Sequence, residues 1–462
     1  MIEIQAIKKV YLLGIGGIGM SALARYFRFI GKEVSGYDRT ASAITDELAK
    51  EGISVHFEAD LSLLPKIEEK NSTLIIYTPA VPSGFGERVW LNENGFILYK
   101  RSKVLGLLAS DRRCIAIAGT HGKTSVTTMT AHLLKQSAVD CSAFMGGISR
   151  NYGTNLLLPS NNSPFLVAEA DEFDRSFLQL YPELAVITFM DADHLDIYGS
   201  HEQVLEAFKA FVGQIRTGGA LVYRSNAAVD KTWNDSIRYF SYSIEEGADF
   251  QATALTVEDG AYHFNLKTPF GVIENIRFGY PGLMNVENAV AASALALLSG
   301  VKPDELKAGL AIFKGVERRF DIRFRGEKTI YIDDYGHHPR ELEATIRSVR
   351  HLWPDRKITG IFQPHLFTRT RDFATEFAES LDLLDEALVL EIYPAREEPI
   401  AGVDTGMILN LMKNKNNRRC SKSEFPAILD NYQPEILLTM GAGDIDRLIV
   451  PIVNYLETKV NG

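Results

Sequence analysis

Residues Cys114 to Gln136 read CIAIAGTHGKTSVTTMTAHLLKQ: an apolar strand, a tight glycine loop, and a helix that opens with Lys-Thr-Ser. That order of parts is what a phosphate-binding loop requires. Backbone N–H groups from Gly119 to Thr124 would turn inward onto phosphate oxygens, beside the positive end of the following helix. Lys123 would reach the outer phosphates, and the Thr124 hydroxyl would be placed to bind Mg²⁺. The loop is shorter than the common GxxxxGK[ST] form, because position 117 is Ile rather than Gly. The tripeptide GKT alone says little. The β-branched strand before it and the helix after it favour an ATP or GTP site over a structural turn.

Toward the N-terminus, VYLLGIGGIGMSALARYFRFIGKEVSGYD holds a second glycine loop. Gly14, Gly16 and Gly19 have GxGxxG spacing between a strand and a helix, and a second strand ends at Asp38. This is a dinucleotide-binding pattern with its acidic residue about twenty positions on. NAD is the default ligand by fold analogy, yet any nucleotide diphosphate satisfies the same physics. The strand STLIIYTPAVP ends at Thr78 and Pro79, at the edge where such folds bind ligands. A Pro-terminated strand and loop explains those residues equally well.

A chain of 462 residues suggests about three domains at ~150 residues each. Hydrophobic content of 46% and charged content of 23% are ordinary for a globular protein. A net charge of −10 argues against a general nucleic-acid binder. Cys114, Cys141 and Cys420 lack metal-ligand spacing, which fits reduced thiols in a cytoplasmic protein, with Cys114 buried in its strand. The N-terminus has no signal-peptide layout. Ala289 to Gly300 is too short to span a membrane and predicts a buried helix.

Strands alternate with helices along most of the chain, so the expected class is α/β with three domains. Residues 1–107 predict a Rossmann-like parallel sheet. Residues 108–315 predict a P-loop ATPase-like α/β domain with a β-rich insertion, FQATALTVEDGAYHFNLKTPFGVIENIRF, patterned as antiparallel strands. Residues 316–462 predict a second Rossmann-like domain, with strand TIYID, helix PRELEATIRSVRHL, strand KITGIF, helix RDFATEFAESLDLL and strand EALVLEI.

Polar clusters follow four of these strands: EADEFD after PFLVA, DADHLD after ELAVITFM, DDYGHHP after TIYI, and QPHLFTRTRD after KITGIF. Ligands of open parallel sheets gather outside the carboxyl ends of the strands. One acidic loop is ordinary solvated surface; four polar clusters in the same topological position point to a site. Carboxylates and an imidazole near a phosphate loop suit Mg²⁺, which prefers oxygen ligands and substrate phosphates. His337 and His338 lack a third ligand at zinc spacing and predict a turn or ribose-side contact before Pro339. Arg369 and Arg371 offer forked donors for a carboxylate or phosphate, or are exposed charges at a helix start.

These motifs together resemble the Mur ligase family, over nearly the whole chain. The matching stretches are GIGGIGMSALA, AGTHGKTS, EADEFDRSFL, DADHLDIYG, NVENAVAA, GVERRF, DDYGHHP, FQPHLFTRTRD and YPAREEPIAG. DDYGHHP, QPHLFTRTRD and REEPIAG resemble the alanine-adding branch. A sister branch that recycles murein tripeptide shares much of the layout. The resemblance implies an ATP-dependent ligase joining L-alanine to the lactyl carboxylate of UDP-N-acetylmuramic acid through an acyl phosphate, in peptidoglycan precursor synthesis. Gly14, Ile15, Gly16, Gly17, Ile18, Gly19, Asp38 and Thr78 would hold the UDP-sugar. Gly119, Thr120, His121, Gly122, Lys123, Thr124 and Ser125 would hold ATP, with Asn288 at the adenine and Arg319 and Asp334 near the nucleotide. Lys123, Glu169 and His194 would be catalytic. Thr124 and Glu169 would bind one Mg²⁺, and Glu169 with His194 a second. Tyr335, His365 and Arg369 would line the amino-acid pocket. A monomer or homodimer, without nucleic-acid partners or membrane insertion, is expected.

Some positions depart from the family pattern. Leu366 and Phe367 stand where many members carry Arg and Tyr, and Met284 where a His often faces the adenine. Sister ligases use a carbamylated lysine shortly after the metal-binding His; here Phe208 occupies that register and Lys209 lies beside it. Outside the resemblance, a nicotinamide-dependent dehydrogenase would explain the first loop and leave AGTHGKTS unused. A P-loop switch would explain the second loop but lacks a guanine-reading NKxD element.

Overall fold

In the computed structural model, residues 3–461 are described, apart from 192–197, 199, 259 and 396. The chain forms two compact units. One comprises Met1–Ala254, Phe264–Ile276 and Glu287–Phe313; the other comprises Leu255–His263, Arg277–Val286 and Lys314–Gly462.

The first unit begins with five strands: β1 (Lys9–Leu13), β2 (Glu33–Tyr37), β3 (Ser54–His56), β4 (Thr73–Tyr77) and β5 (Leu98–Lys100). They lie in the order β3-β2-β1-β4-β5, all parallel. Val10 to Leu13 are buried, as expected of a central parallel strand covered by helices on both faces. Gly14 to Gly17 turn the chain from β1 into the helix Ile18–Phe29, whose Met20, Leu23, Ala24 and Phe27 enter the core.

Ten strands form the next sheet: β6 (Arg113–Ala118), β7 (Ser142–Ser149), β8 (Thr154–Leu157), β9 (Phe165–Glu169), β10 (Leu184–Ile187), β11 (Ala220–Arg224), β12 (Arg238–Ser243), β13 (Phe250–Glu258), β14 (Ala261–Thr268) and β15 (Gly271–Phe278). Their order is β15-β14-β13-β12-β11-β10-β6-β9-β7-β8. The β-rich insertion thus extends this sheet at one edge, β13 joining β12 in parallel through Tyr242↔Phe250. What matters for the site is that β6 lies between β10 and β9, parallel to both. Three strand ends therefore open side by side.

The helix Lys123–Lys135 starts where the sequence placed it and is buried along most of its length. Most of the apolar run at 289–300 lies in the helix Leu283–Leu298, and its residues 289–296 are buried, as its composition predicted. Helix Arg101–Ser110 drives Val104, Leu105 and Leu108 into a core that also contains Leu12 and Ala116, so the first two sheets share one apolar interior. Cys114, Cys141 and Cys420 are free and buried.

The second unit carries β16 (Asp321–Arg325), β17 (Ile330–Asp334), β18 (Ile358–Phe362), β19 (Glu386–Val389), β20 (Asn417–Arg419) and β21 (Ile436–Met440). Their order is β16-β17-β21-β18-β19-β20, parallel except for the edge strand β16. The helix expected over 371–384 is broken in two, Phe367–Asp372 and Ala374–Leu381, because Phe373 leaves helical geometry at φ −122°. Among the described residues no helix is long and apolar enough to cross a membrane.

Candidate active site

The phosphate loop leaves β6 at Gly119, where φ is +128° and an added Cβ would lie 2.1 Å from Thr188 Oγ1. Only glycine admits that approach. Thr188, at the end of neighbouring β10, donates its hydroxyl to the carbonyls of Ala118 (3.3 Å) and His121. Thr120 N–H donates to the Phe189 carbonyl at 2.9 Å. The loop is thus clamped from the β10 side. Gly122, at φ +81°, caps the helix, and its missing Cβ leaves space 2.9 Å from Asn288 Oδ1. His121 Nε2 lies 3.5 Å from Asp191. Thr124 and Ser125 are buried in the first turn.

On the other side, β9 ends at Glu169, which pairs in register with Ile117 of β6. Thr124 donates to Glu169 Oε1 at 3.2 Å, and Gly146 N–H donates to Oε2 at 3.1 Å. Two oxygens about 3 Å apart match adjacent ligands of an octahedral Mg²⁺ with ~2.1 Å bonds. The Thr124–Glu169 pair therefore fits a magnesium ion. His194, the other expected metal ligand, lies outside the described residues. Among the described residues no group of three or more His, Cys, Asp or Glu is arranged as a metal site. A magnesium ion completed by phosphates and water needs none.

Lys123 Nζ donates to Gly119 O at 2.7 Å and to both carboxylate oxygens of Glu172 at 2.8 Å. Burial opposes its charge, but Glu172, Asp171 and Glu169 outweigh that and hold its pKa above the ordinary lysine value. Burial in turn pushes the Glu172 carboxyl upward against the pull of Lys123. The sequence places Glu172 in the EADEFD cluster and gives it no role of its own. It stands in the same acidic run as Glu169, and nothing local separates their roles.

The UDP-sugar candidates line the edge of the first sheet. Gly14 and Ile15 donate their N–H groups to the Tyr37 carbonyl at 2.8 and 3.0 Å. Asp38 accepts from Gly16 N–H at 2.8 Å and from Thr40 N–H at 3.2 Å, so its carboxylate ties β2 to the loop. Thr78 packs its methyl against Gly14. Arg101, unremarked in the sequence, lies over Gly19, and its guanidinium is 4.0 Å from Asp171. A cavity of about 260 Å³ joins the two sheets' strand ends, lined by Gly17, Gly19, Thr78, Arg101, Glu169 and Asp171 among others.

The remaining candidates lie in the second unit. Asp334 accepts from Phe320 and Gly336 N–H, each at 2.7 Å, and burial pushes its carboxyl up to about 6 against the pull of Arg319. The Arg319 guanidinium sits 4.8 Å from the centre of the Tyr335 ring, and Arg318 covers the same ring at 5.1 Å. Tyr335, His337, His365 and Tyr393 form a chain of ring contacts with centroids 5.4, 5.8 and 5.9 Å apart. Burial first, and then Arg369 and His365, lowers the His337 pKa to about 4 despite Glu341. Glu397 of the REEPIAG segment receives the N–H and hydroxyl of Thr368 at 3.0 and 2.5 Å, which fixes the turn that carries Arg369. Leu366, at the departure from the family pattern, has φ +71°. His338 caps the Pro339–Leu352 helix, as a turn residue should. Arg371 is an exposed charge paired with Asp372 at 2.7 Å. Phe208 is buried against Phe177, and Lys209 is exposed 3.8 Å from Glu206.

A phosphate loop, a magnesium-fitting pair at its first helical turn and a second glycine loop whose cavity reaches Glu169 define a nucleotide-using enzyme, and the chain belongs to the Mur ligase family. Its residues 9–113, 117–296 and 318–443 match, in turn, the models for the Mur ligase family catalytic domain, the Mur ligase middle domain and the Mur ligase glutamate ligase domain. It is 48% identical to the UDP-N-acetylmuramate–L-alanine ligase of Phocaeicola vulgatus, over 99% of this chain and 100% of that one. Identity to the enzyme of the same name from Porphyromonas gingivalis is 50%, over 98% and 99%. The crystal structure of the UDP-N-acetylmuramate–alanine ligase of Thermotoga maritima superposes with a TM-score of 0.83 at 26% identity, over 98% of this chain and 99% of that one. The murein peptide ligase of Psychrobacter arcticus shares the fold, with a TM-score of 0.70 at 21% identity over 97% and 98%.

Proposed function

We propose that this chain is an ATP-dependent ligase that joins L-alanine to the lactyl carboxylate of UDP-N-acetylmuramic acid, a cytoplasmic step of peptidoglycan precursor synthesis. The observation that carries this reading is the single cavity running from the Gly14–Gly19 loop to Glu169. A sugar nucleotide anchored on the first loop extends its carboxylate toward the second. The backbone N–H groups of Gly119 to Ser125 cradle the ATP phosphates, and Asn288 meets the adenine.

Lys123 offsets the negative charge that spreads over the γ-phosphoryl group as it passes to the lactyl carboxylate. A carboxylate oxygen forms the new bond to phosphorus, the bridging bond of ATP breaks, and ADP leaves. The amine of L-alanine, which Tyr335, His365 and Arg369 bind, then attacks the acyl carbon. Phosphate departs and the amine loses its proton. Thr124, Glu169 and His194 would hold magnesium, which when bound supplies charge shielding between carboxylate and triphosphate.

The test is phosphate release from ATP with Mg²⁺, UDP-N-acetylmuramic acid and one candidate acceptor at a time. Release should require both the UDP-sugar and L-alanine. Release without the UDP-sugar, or only with murein tripeptide, overturns the reading.

A further inference from the structure

An ammonium carries three N–H donors. In this structure Lys123 has three acceptors within 2.8 Å: Gly119 O and the two carboxylate oxygens of Glu172. The lysine expected to meet the terminal phosphate is therefore already engaged by the protein. Its partner is firmly presented. Glu172 is 1% exposed, and its own carbonyl accepts from Arg175 N–H at 2.9 Å and from the Tyr198 hydroxyl at 2.6 Å. Arg175 takes the left-handed turn, φ +54°, that closes this loop. Glu172 is thus a buried carboxylate on a pinned turn, aimed at the loop lysine from the side opposite Thr188.

Resting on the reading of Lys123 as a phosphate contact, we propose that Glu172 is a positioning residue that occupies the lysine in place of the terminal phosphate and competes with the triphosphate for it. A bound triphosphate must take at least one N–H from Gly119 or Glu172, and its negative charge then lies close to a buried carboxylate. Glu172 lowers triphosphate affinity while keeping the ammonium in the loop. A nucleotide that does not reach Lys123 feels neither effect.

The discriminating measurement is binding, not turnover: calorimetric titration of a non-hydrolysable β,γ-imido ATP analogue and of AMP, each with Mg²⁺, into wild type, Glu172→Gln and Glu172→Asp. Glu172→Gln removes the charge and one acceptor, so the triphosphate analogue should bind about tenfold tighter, the scale of one charge-assisted hydrogen bond. AMP affinity should be unchanged. Glu172→Asp keeps the charge on the same turn and should leave the triphosphate-to-monophosphate ratio within about twofold of wild type. Equal or weaker triphosphate binding by Glu172→Gln overturns the proposal, as does an equal gain for AMP, which would mark a structural effect. Lys123→Met separates the two levels. If it binds the triphosphate as wild type does, the phosphate-loop reading itself fails. If it loses that affinity while Glu172→Gln gains none, only the competition fails.

Discussion

Replacing Gly146 by alanine tests the metal-site geometry without substituting any proposed ligand. An added Cβ at this position would lie 2.1 Å from Glu169 Oε2, 2.6 Å from Cδ and 2.7 Å from Oε1. Its backbone is not in the left-handed region, so the conflict is steric alone. The obstructing group is the end of a flexible side chain, and it must retreat by about 1 Å to reach an ordinary contact distance. Retreat gives up the Gly146 N–H contact of 3.1 Å and the Thr124 contact of 3.2 Å. Each lost hydrogen bond to the charged group costs about 1.5–3 kcal/mol, and the stiffer strand residue returns about 0.5–1 kcal/mol. The protein should stay folded, with a net loss of about 2–5 kcal/mol. The function should suffer more. A metal–oxygen bond of ~2.1 Å does not tolerate a 1 Å shift of its ligand, and such misplacement is worth about 10²-fold in rate. Thermal unfolding, paired with Mg²⁺ titration of phosphate release, separates the two effects. Gly213→Ala, whose methyl meets nothing within 4 Å, is the control. Wild-type turnover and Mg²⁺ dependence in folded Gly146→Ala would refute the placement of Glu169 at the metal.

Lys123→Ala should abolish phosphate release yet leave UDP-sugar binding intact, since the Gly14–Gly19 loop belongs to a different sheet; loss of sugar binding by a folded variant would contradict that division. His132 is fully buried between Tyr152 OH and Gly309 O, each at 3.0 Å, and burial lowers its pKa to about 4. Its neutral ring therefore contributes fully above pH ~6.5, and that contribution is lost as pH falls toward 4. Denaturation curves of wild type should lose about 3 kcal/mol relative to His132→Gln across that window; parallel curves would rule this out. Asn155 is buried, donates to Ile18 O at 2.5 Å and Ser21 Oγ at 2.9 Å, and accepts from Arg25 at 2.5 Å. Asn155→Ala strands these partners and should cost about 2–3 kcal/mol; a denaturation midpoint equal to wild type would show that water replaces the side chain without loss.

Much of the fold was legible because its determinants are local. The strand-loop-helix at 114–136, the GxGxxG turn and the buried helix near Ala289 each follow from residues within about twenty positions of one another. The departure at Phe373 was not legible. RDFATEFAESLDLL has unbroken helical composition, and nothing in its local pattern marks Phe373 as the residue that leaves the helix. Arg101 and Thr188 carry no sequence signal at all. One is the first residue of an ordinary helix and the other a strand-end threonine, and each acquires meaning only from the glycine packed against it.

By itself, then, the sequence determined that this protein has two glycine loops suited to phosphates, and that carboxylates follow the neighbouring strands. It could not say which carboxylate goes where. Glu169, Asp171 and Glu172 are chemically equivalent and adjacent in the chain. Their separation into a magnesium-fitting partner of Thr124 and a counterion of Lys123 is set by the register of β9 on β6 and by the turn at Arg175. Contacts of 2.8 and 3.2 Å are fixed by strands brought together from 45 or more residues apart, and hydrogen bonds fade within a few tenths of an ångström of such distances. Only the tertiary structure reaches that precision.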